Sequence, residues 1–145
     1  MNAYQQMKDC QQKEFDAFPI GAAFSNKQFE EMMQKWGLTV NDTDKICSLG
    51  AGTYIRKTDK EALCALINRL NKEKQDAIAE DTTGDGFIFD MFVYELANHE
   101  YCITYDLKET LDALGLTVEE IKADKRLHYG LNKAIKHYLK NHKNL

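Results

Sequence analysis

The chain reads as an α+β fold, a mostly helical single domain over residues 1–145 with a small antiparallel sheet or hairpin. Three observations carry this. Apolar residues recur at the 3.6-residue helical period through most of the chain, Gly50-Ala51-Gly52 separates two short β-rich runs, and no Pro/Gly/Ser-rich linker divides the sequence. At 145 residues the chain can bury about two-thirds of its unfolded surface without metal or disulfide support, so one core is expected.

In chain order, Tyr4, Met7, Phe15 and Phe18 form the apolar face of an N-terminal helix over 1–18. Pro19 stops it, because the residue before a proline is pushed out of the helical region. Ile20–Phe24 reads as a short strand. Ser25 with Gln28 then makes a capping box for a second helix with Phe29, Met32, Met33 and Trp36 inward, ended by Gly37. Lys45–Leu49 and Thr53–Arg56 form a hairpin around the glycine turn. Thr58 with Glu61 opens a long helix to about Glu80, with Ala62, Leu63, Leu66, Ile67, Leu70 and Ile78 on its buried face.

Asp81–Tyr101 concentrates turn formers, aromatics and reactive side chains. A helix from Asp85, with that residue as N-cap, places Phe89, Phe92, Val93, Leu96 and Ala97 on one face and Asp90, Tyr94, Asn98 and Tyr101 on a stripe beside it. A strand over Phe87–Phe92 is the competing reading. Glu100 falls on the apolar face of such a helix, which predicts that the helix ends before it. Asp106 with Glu109 caps a short helix with Leu107, Leu111 and Leu114 inward, ended by Gly115. Thr117 with Glu120 caps the next turn. A basic C-terminal helix within 122–145 buries Leu127, Leu131, Ile135, Tyr138 and Leu139 and turns Arg126, Lys133, Lys136, His137 and Lys140 outward, with Gly130 weakening its middle.

Charge is unevenly spread. From Asp76 to Glu120 there are twelve acids against one base, and from Lys122 to Leu145 seven bases against Asp124. These regions attract each other within a monomer or across a homodimer. A chain of net charge −4 meets nucleic acid with a repulsive far field, so a protein partner is expected and a nucleic-acid one is not. No apolar run reaches the roughly 18 residues of a membrane span, and the N-terminal residues lack the order of a secretory signal, which points to the cytoplasm. Cys10, Cys47, Cys64 and Cys102 contain no Cys-x-x-Cys pair and read as reduced, mostly buried thiols.

Possible chemistry gathers in the central stretch. Asp81-Thr82-Thr83-Gly84-Asp85-Gly86 resembles the front half of a calcium loop, but Phe92 stands where the bidentate carboxylate belongs, so a structural turn is expected, with neither metal nor cofactor. His99-Glu100 lacks the second histidine of a zincin helix; Ile103 sits there. Gly50-Ala51-Gly52 lacks the third glycine of a dinucleotide fingerprint. Glu95 and His99, one turn apart with Cys102 beyond, could give two metal ligands or an oriented base; a hydrogen-bonded structural histidine is the competing reading. Asp85, Asp90, Tyr94, Glu95, Asn98 and His99 are therefore the candidate binding residues, and no catalytic residue is assigned.

The words Ala23–Glu31, Thr43–Ile46, Tyr54–Asp59, Thr83–Phe92 and Tyr94–Tyr101 together resemble a family of small bacterial proteins of unknown function from gut Bacteroidetes and their mobile elements. The similarity spans roughly 18–120 and leaves the first helix and basic tail outside. It implies a cytoplasmic bacterial protein and transfers no catalytic residue. Two functions follow as expectations: a non-enzymatic interaction or regulatory protein, and as the alternative a metal-dependent hydrolase or other small enzyme built on Asp85, Asp90, Glu95 and His99.

Overall fold

The computed structural model describes residues 2–141; positions 142–145 of the expected basic helix lie outside the described residues. The fold is α+β, with eight α-helices and one three-stranded antiparallel sheet among them. The chain divides into two compact units, residues 11–71 and residues 1–10 with 72–145. The buried apolar residues correspondingly form two clusters where length alone suggests one core.

The 11–71 unit holds the sheet. Strands β1 (Gly21–Ala22), β2 (Ile46–Gly50) and β3 (Thr53–Arg56) lie in the order β1-β3-β2, all antiparallel, with Gly21 opposite Tyr54 and Cys47 opposite Ile55. The β2–β3 hairpin turns through Gly50, Ala51 and Gly52, all at positive φ, a conformation that costs alanine more than glycine. A further helix, Asn26–Lys35, packs on β1 and buries Met32 and Met33 with Ala23. Ser25 is its N-cap, accepting from the Gln28 amide at 3.2 Å. Gln28 reaches back one residue further than a capping box requires, accepting from the Phe24 amide at 2.8 Å.

The unit formed by 1–10 and 72–145 is built from helices. Numbered along the whole chain, these are α1 (Ala3–Asp16), α2 (the Asn26 helix), α3 (Lys60–Glu80), α4 (Phe87–Asn98), α5 (Tyr101–Thr104), α6 (Lys108–Leu114), α7 (Val118–Ala123) and α8 (Lys125–Asn141). Helices α1 and α3 each run from one unit into the other. Helix α4 is the centre: Ile88, Met91, Phe92 and Leu96 are wholly buried against Leu111, Leu114, Leu127, Leu131 and Ala134. The helical reading of Phe87–Phe92 holds, and the strand does not form. Ala97, expected inward, is exposed, and Ile88, Met91 and Glu95 take the buried side instead. The buried face is thus rotated from the expected one.

Two glycines let α8 approach the start of α4. A Cβ on Gly130 would sit 2.6 Å from Ile88 Cγ2 and 2.7 Å from the Gly84 carbonyl; one on Gly84 would meet the Arg126 carbonyl at 2.2 Å. Gly130 therefore makes the contact possible where a helix-propensity argument sees only weakness. Arg126, expected outward, turns back instead: its guanidinium donates to the carbonyls of Ile78 (2.9 Å) and Asp81 (2.8 Å) and pairs with Asp124 (2.9 Å). A cation there closes the C-terminal end of α3.

Other expectations shift. Helix α3 begins after a 3-10 turn over Lys57–Asp59, one residue later than the Thr58–Glu61 capping box implied. Of its six expected buried residues only Leu63 is buried, and Ile67 is 41% exposed. None of the four free cysteines is fully buried: Cys10 and Cys64 are exposed, Cys47 and Cys102 intermediate. The caps at Thr117 and Gly115 form as expected.

Candidate functional site

The turn before α4 sets the site. Asp85 was the expected N-cap, but Asp81 does that work from further upstream. Its carboxylate accepts from the amides of Gly84 (2.9 Å), Gly86 (3.0 Å), Ile88 (3.0 Å) and Thr83 (3.3 Å). Burial opposes its ionisation, yet these four donors hold its carboxyl below the usual range. The half-resemblance to a calcium loop thus has a structural content: the first carboxylate is spent on backbone amides. Asp85 points elsewhere, to an ion pair with Lys133 of α8, whose ammonium also lies 5.1 Å from the centre of the Phe89 ring.

Asp90 is also committed. Its carboxylate accepts from the Ala3 amide at 2.8 Å, and its carbonyl accepts from the Asn2 side chain at 2.8 Å, so this residue pins the first turn of α1. That anchoring brings Tyr4 and Lys8 over the middle of α4. Tyr4 is buried, stacks edge-on against Tyr94 (5.5 Å between ring centres), and donates its hydroxyl to Glu95 Oε1 at 2.9 Å. Lys8 Nζ lies 3.2 Å from the same oxygen and 5.4 Å from the Tyr94 ring centre.

Glu95 is the chemical centre of the unit, with 1% of its surface exposed. Burial works to raise its pKa, but the hydrogen bonds from Tyr4 and Lys8 and the Lys8 charge prevail and hold the carboxyl below the usual range. The same contact, added to burial, pushes the Tyr4 hydroxyl far up. Lys74 of α3, donating to the Leu114 carbonyl at 3.1 Å, has its pKa lowered by burial, against the pull of Glu95. His99 caps the far end of α4. Its Nε2 lies 3.2 Å from Glu95 Oε2, but neither atom makes a hydrogen bond, and its Nδ1 is 3.7 Å from Glu109. Thr110, wholly buried, donates to the Glu95 carbonyl at 3.4 Å.

Of the six candidate residues, the fold therefore brings together Tyr94, Glu95, His99 and Asn98, which is exposed on the same turn but hydrogen-bonds the Glu95 carboxylate. It separates Asp85, and it gives Asp90 to the end of α1. Helix α4 stops at Asn98, before Glu100, as the misplaced carboxylate implied; Glu100 adopts a left-handed conformation, φ 53°. Tyr101 consequently leaves the α4 stripe, and its ring packs against Tyr105 and Tyr138. Sequence reasoning missed Tyr4, Lys8 and Lys74. The signal available was a tyrosine on a stripe otherwise without polar groups, Met7, Phe15 and Phe18, whose hydroxyl must find a partner when buried.

Chemically, the cluster holds a carboxylate as an anion inside the protein. Glu95 so held is no proton donor near neutrality, but it can orient the imidazole beside it. Among the described residues no group of three or more His, Cys, Asp or Glu side chains is placed to hold a metal ion. The 11–71 unit carries three clefts, one of them lined by Ile20–Ala22 and the outer side of α2, and a smaller one lies beside Asp81 and Phe87; none of these four includes Glu95 or His99. No described helix is long and apolar enough to cross a membrane.

No curated protein and no solved structure gives a significant match to the chain. A family model matches residues 3–137, and so takes in the first helix and most of the basic helix that the shared words had left outside. The chain belongs to this family, the family of unknown function DUF7659.

Proposed function

We propose that this protein is a non-enzymatic interaction or regulatory protein of the bacterial cytoplasm, acting through a protein partner. The observation that carries the reading is the use each candidate acid has inside the fold. Asp81 closes a turn, Asp85 pairs with Lys133, Asp90 anchors α1, and Glu95 is held by Tyr4 and Lys8. Side chains committed in this way are scaffold, and the chain's remaining assets are surfaces.

Affinity capture of the tagged chain from a bacterial host of the family, at physiological salt and with mass spectrometry of the retained proteins, tests the reading. One protein held in stoichiometric amount, and released when exposed surface residues are changed, is the expected result. A second reading has one observation in its favour: Glu95 Oε2 and His99 Nε2 lie 3.2 Å apart, close enough for the carboxylate to orient a base. Turnover of an ester or phosphoester panel that disappears in His99→Ala, with no retained partner, would replace the interaction reading by that small-enzyme one.

A further inference from the structure

We infer that the groove between β1 and α2 takes up an extended peptide segment of a partner protein as a fourth strand of the sheet. The inference rests on the interaction reading and assigns it a surface. In the order β1-β3-β2, β1 is an edge strand among the described residues. The Ala23 amide donates to the Gly52 carbonyl at 2.8 Å, and Gly21 stands opposite Tyr54, so residues 21 and 23 spend their backbone groups on β3. Antiparallel alternation then directs the Ala22 N–H and C=O to the open side, and Ala22 is exposed.

A helix overhangs that edge. Gly21 lies so close beneath α2 that a Cβ there would meet Met32 Sδ at 2.4 Å and the Trp36 ring at 2.8 Å. The resulting cleft, about 450 Å³, has β1 as one wall and Gln28, Glu31, Met32, Lys35 and Trp36 as the other. A wall of unspent strand-edge groups facing a helix wall is matched by an extended backbone, whose alternate side chains reach toward the helix. Met32 and Trp36 give that side chain an apolar seat. Glu31 and Lys35, one turn apart on the rim, call for flanking charges of opposite sign, basic toward Glu31 and acidic toward Lys35. The two-residue length of β1 and Pro19 just before it limit the edge to one short added segment, as natural sheets do to avoid open-ended stacking.

A random dodecamer peptide library panned against the whole chain, with Kd values of enriched peptides from fluorescence polarisation, provides the test. Enriched peptides are expected to carry an apolar residue between a basic and an acidic one, and to shift the amide resonances of residues 20–22 and 28–36. Ala22→Pro removes the outward donor at an edge position where proline is tolerated. It should leave the melting temperature near wild type and weaken those peptides at least tenfold. Should Ala22→Pro disturb folding, the charge exchange Glu31→Lys with Lys35→Glu decides: it should invert the selected charge order. Peptides whose shifts map elsewhere would overturn the groove while leaving the interaction reading standing. No enrichment would overturn the groove too, with the affinity capture judging the broader reading separately. A dimer in sedimentation that Ala22→Pro dissociates would give the edge to a second copy and overturn the partner peptide.

Discussion

The two compact units solve the same burial problem on different scales. In the unit of 1–10 with 72–145, α4 is surrounded: Ile88, Met91, Phe92 and Leu96 lose all contact with solvent, and even a carboxylate, Glu95, is taken inside with its partners. In the 11–71 unit one helix covers a three-stranded sheet, the cluster is Ala23, Met32 and Met33, and Phe24 stays 75% exposed. A closed core fixes side chains for structure, whereas a one-sided sheet leaves edges and clefts open. The comparison assigns stability chiefly to the helical unit and open surface chiefly to the sheet unit.

The largest expected effect strikes the deep core. Phe92→Ala should cost about 3–5 kcal/mol in urea melts, as large-to-small changes in packed cores do; a loss below about 1 kcal/mol would show the core misplaced. Met33→Ala, also wholly buried, should cost about 2–5 kcal/mol by the same rule, but read by amide exchange it should release protons in 21–56 while those of α4 and α8 keep their protection. Equal loss of protection throughout would erase the distinction between the units.

Next comes the α4–α8 approach. On propensity alone Gly130→Ala should stabilise a helix by about 1 kcal/mol. The Gly84 carbonyl 2.7 Å from the new methyl is backbone and cannot swing away, so the substitution should instead destabilise by about 1–3 kcal/mol. The sign of the change in melting temperature decides.

Glu95 adds a pH dependence. Its folded pKa lies below the unfolded value, so the stability it contributes is present above the unfolded glutamate range, near pH 4.3, and is lost as pH falls through the folded value. Glu95→Gln should cost about 1–3 kcal/mol at pH 7 and lose less of its remaining stability than wild type between pH 5 and pH 3. Parallel acid-unfolding curves would remove Glu95 from the account. Smallest is the surface term: Lys133→Glu, with Lys136→Glu and Lys140→Glu, should lower the melting temperature only slightly, and more at low salt than at high, since the Lys133–Asp85 pair is partly exposed. Equal effects at both salt concentrations would show that the acidic stretch and the basic helix do not attract.

How much of this was legible follows from the range over which each signal acts. Local chemistry read well. The glycine turn at 50–52 and the caps at Ser25 and Thr117 depend on neighbours within four residues, and each stands where the sequence places it, while α1 ends at Asp16, two residues short of the stop expected before Pro19. Long-range choices did not read. That Asp81 and not Asp85 serves α4 depends on Lys133 drawing Asp85 away across 48 residues. That Glu95 and not Ala97 faces inward depends on Tyr4 and Lys8, some 90 positions upstream. Periodicity marks a helix but leaves the rotation of its face open when apolar residues run almost all the way round, as in Phe87–Leu96. The site was thus half legible: Tyr94, Glu95, Asn98 and His99 meet, whereas of their partners from α1 and α3 only Tyr4 left a local trace, a hydroxyl on an apolar stripe.

The cysteines, expected to be buried, give the chain a built-in optical handle. Cys10 and Cys64 are exposed, and they fall in different units, on α1 and α3. Cys102 is half-buried and accepts from the Tyr138 hydroxyl at 3.2 Å, and Cys47 is half-buried in β2. Maleimide dyes added under brief, limiting conditions will therefore mark the first two ahead of the others, placing a donor and an acceptor on the wild-type chain. Single-molecule energy transfer between them turns any relative movement of the units, on heating or on peptide capture, into a colour change without a single engineered residue.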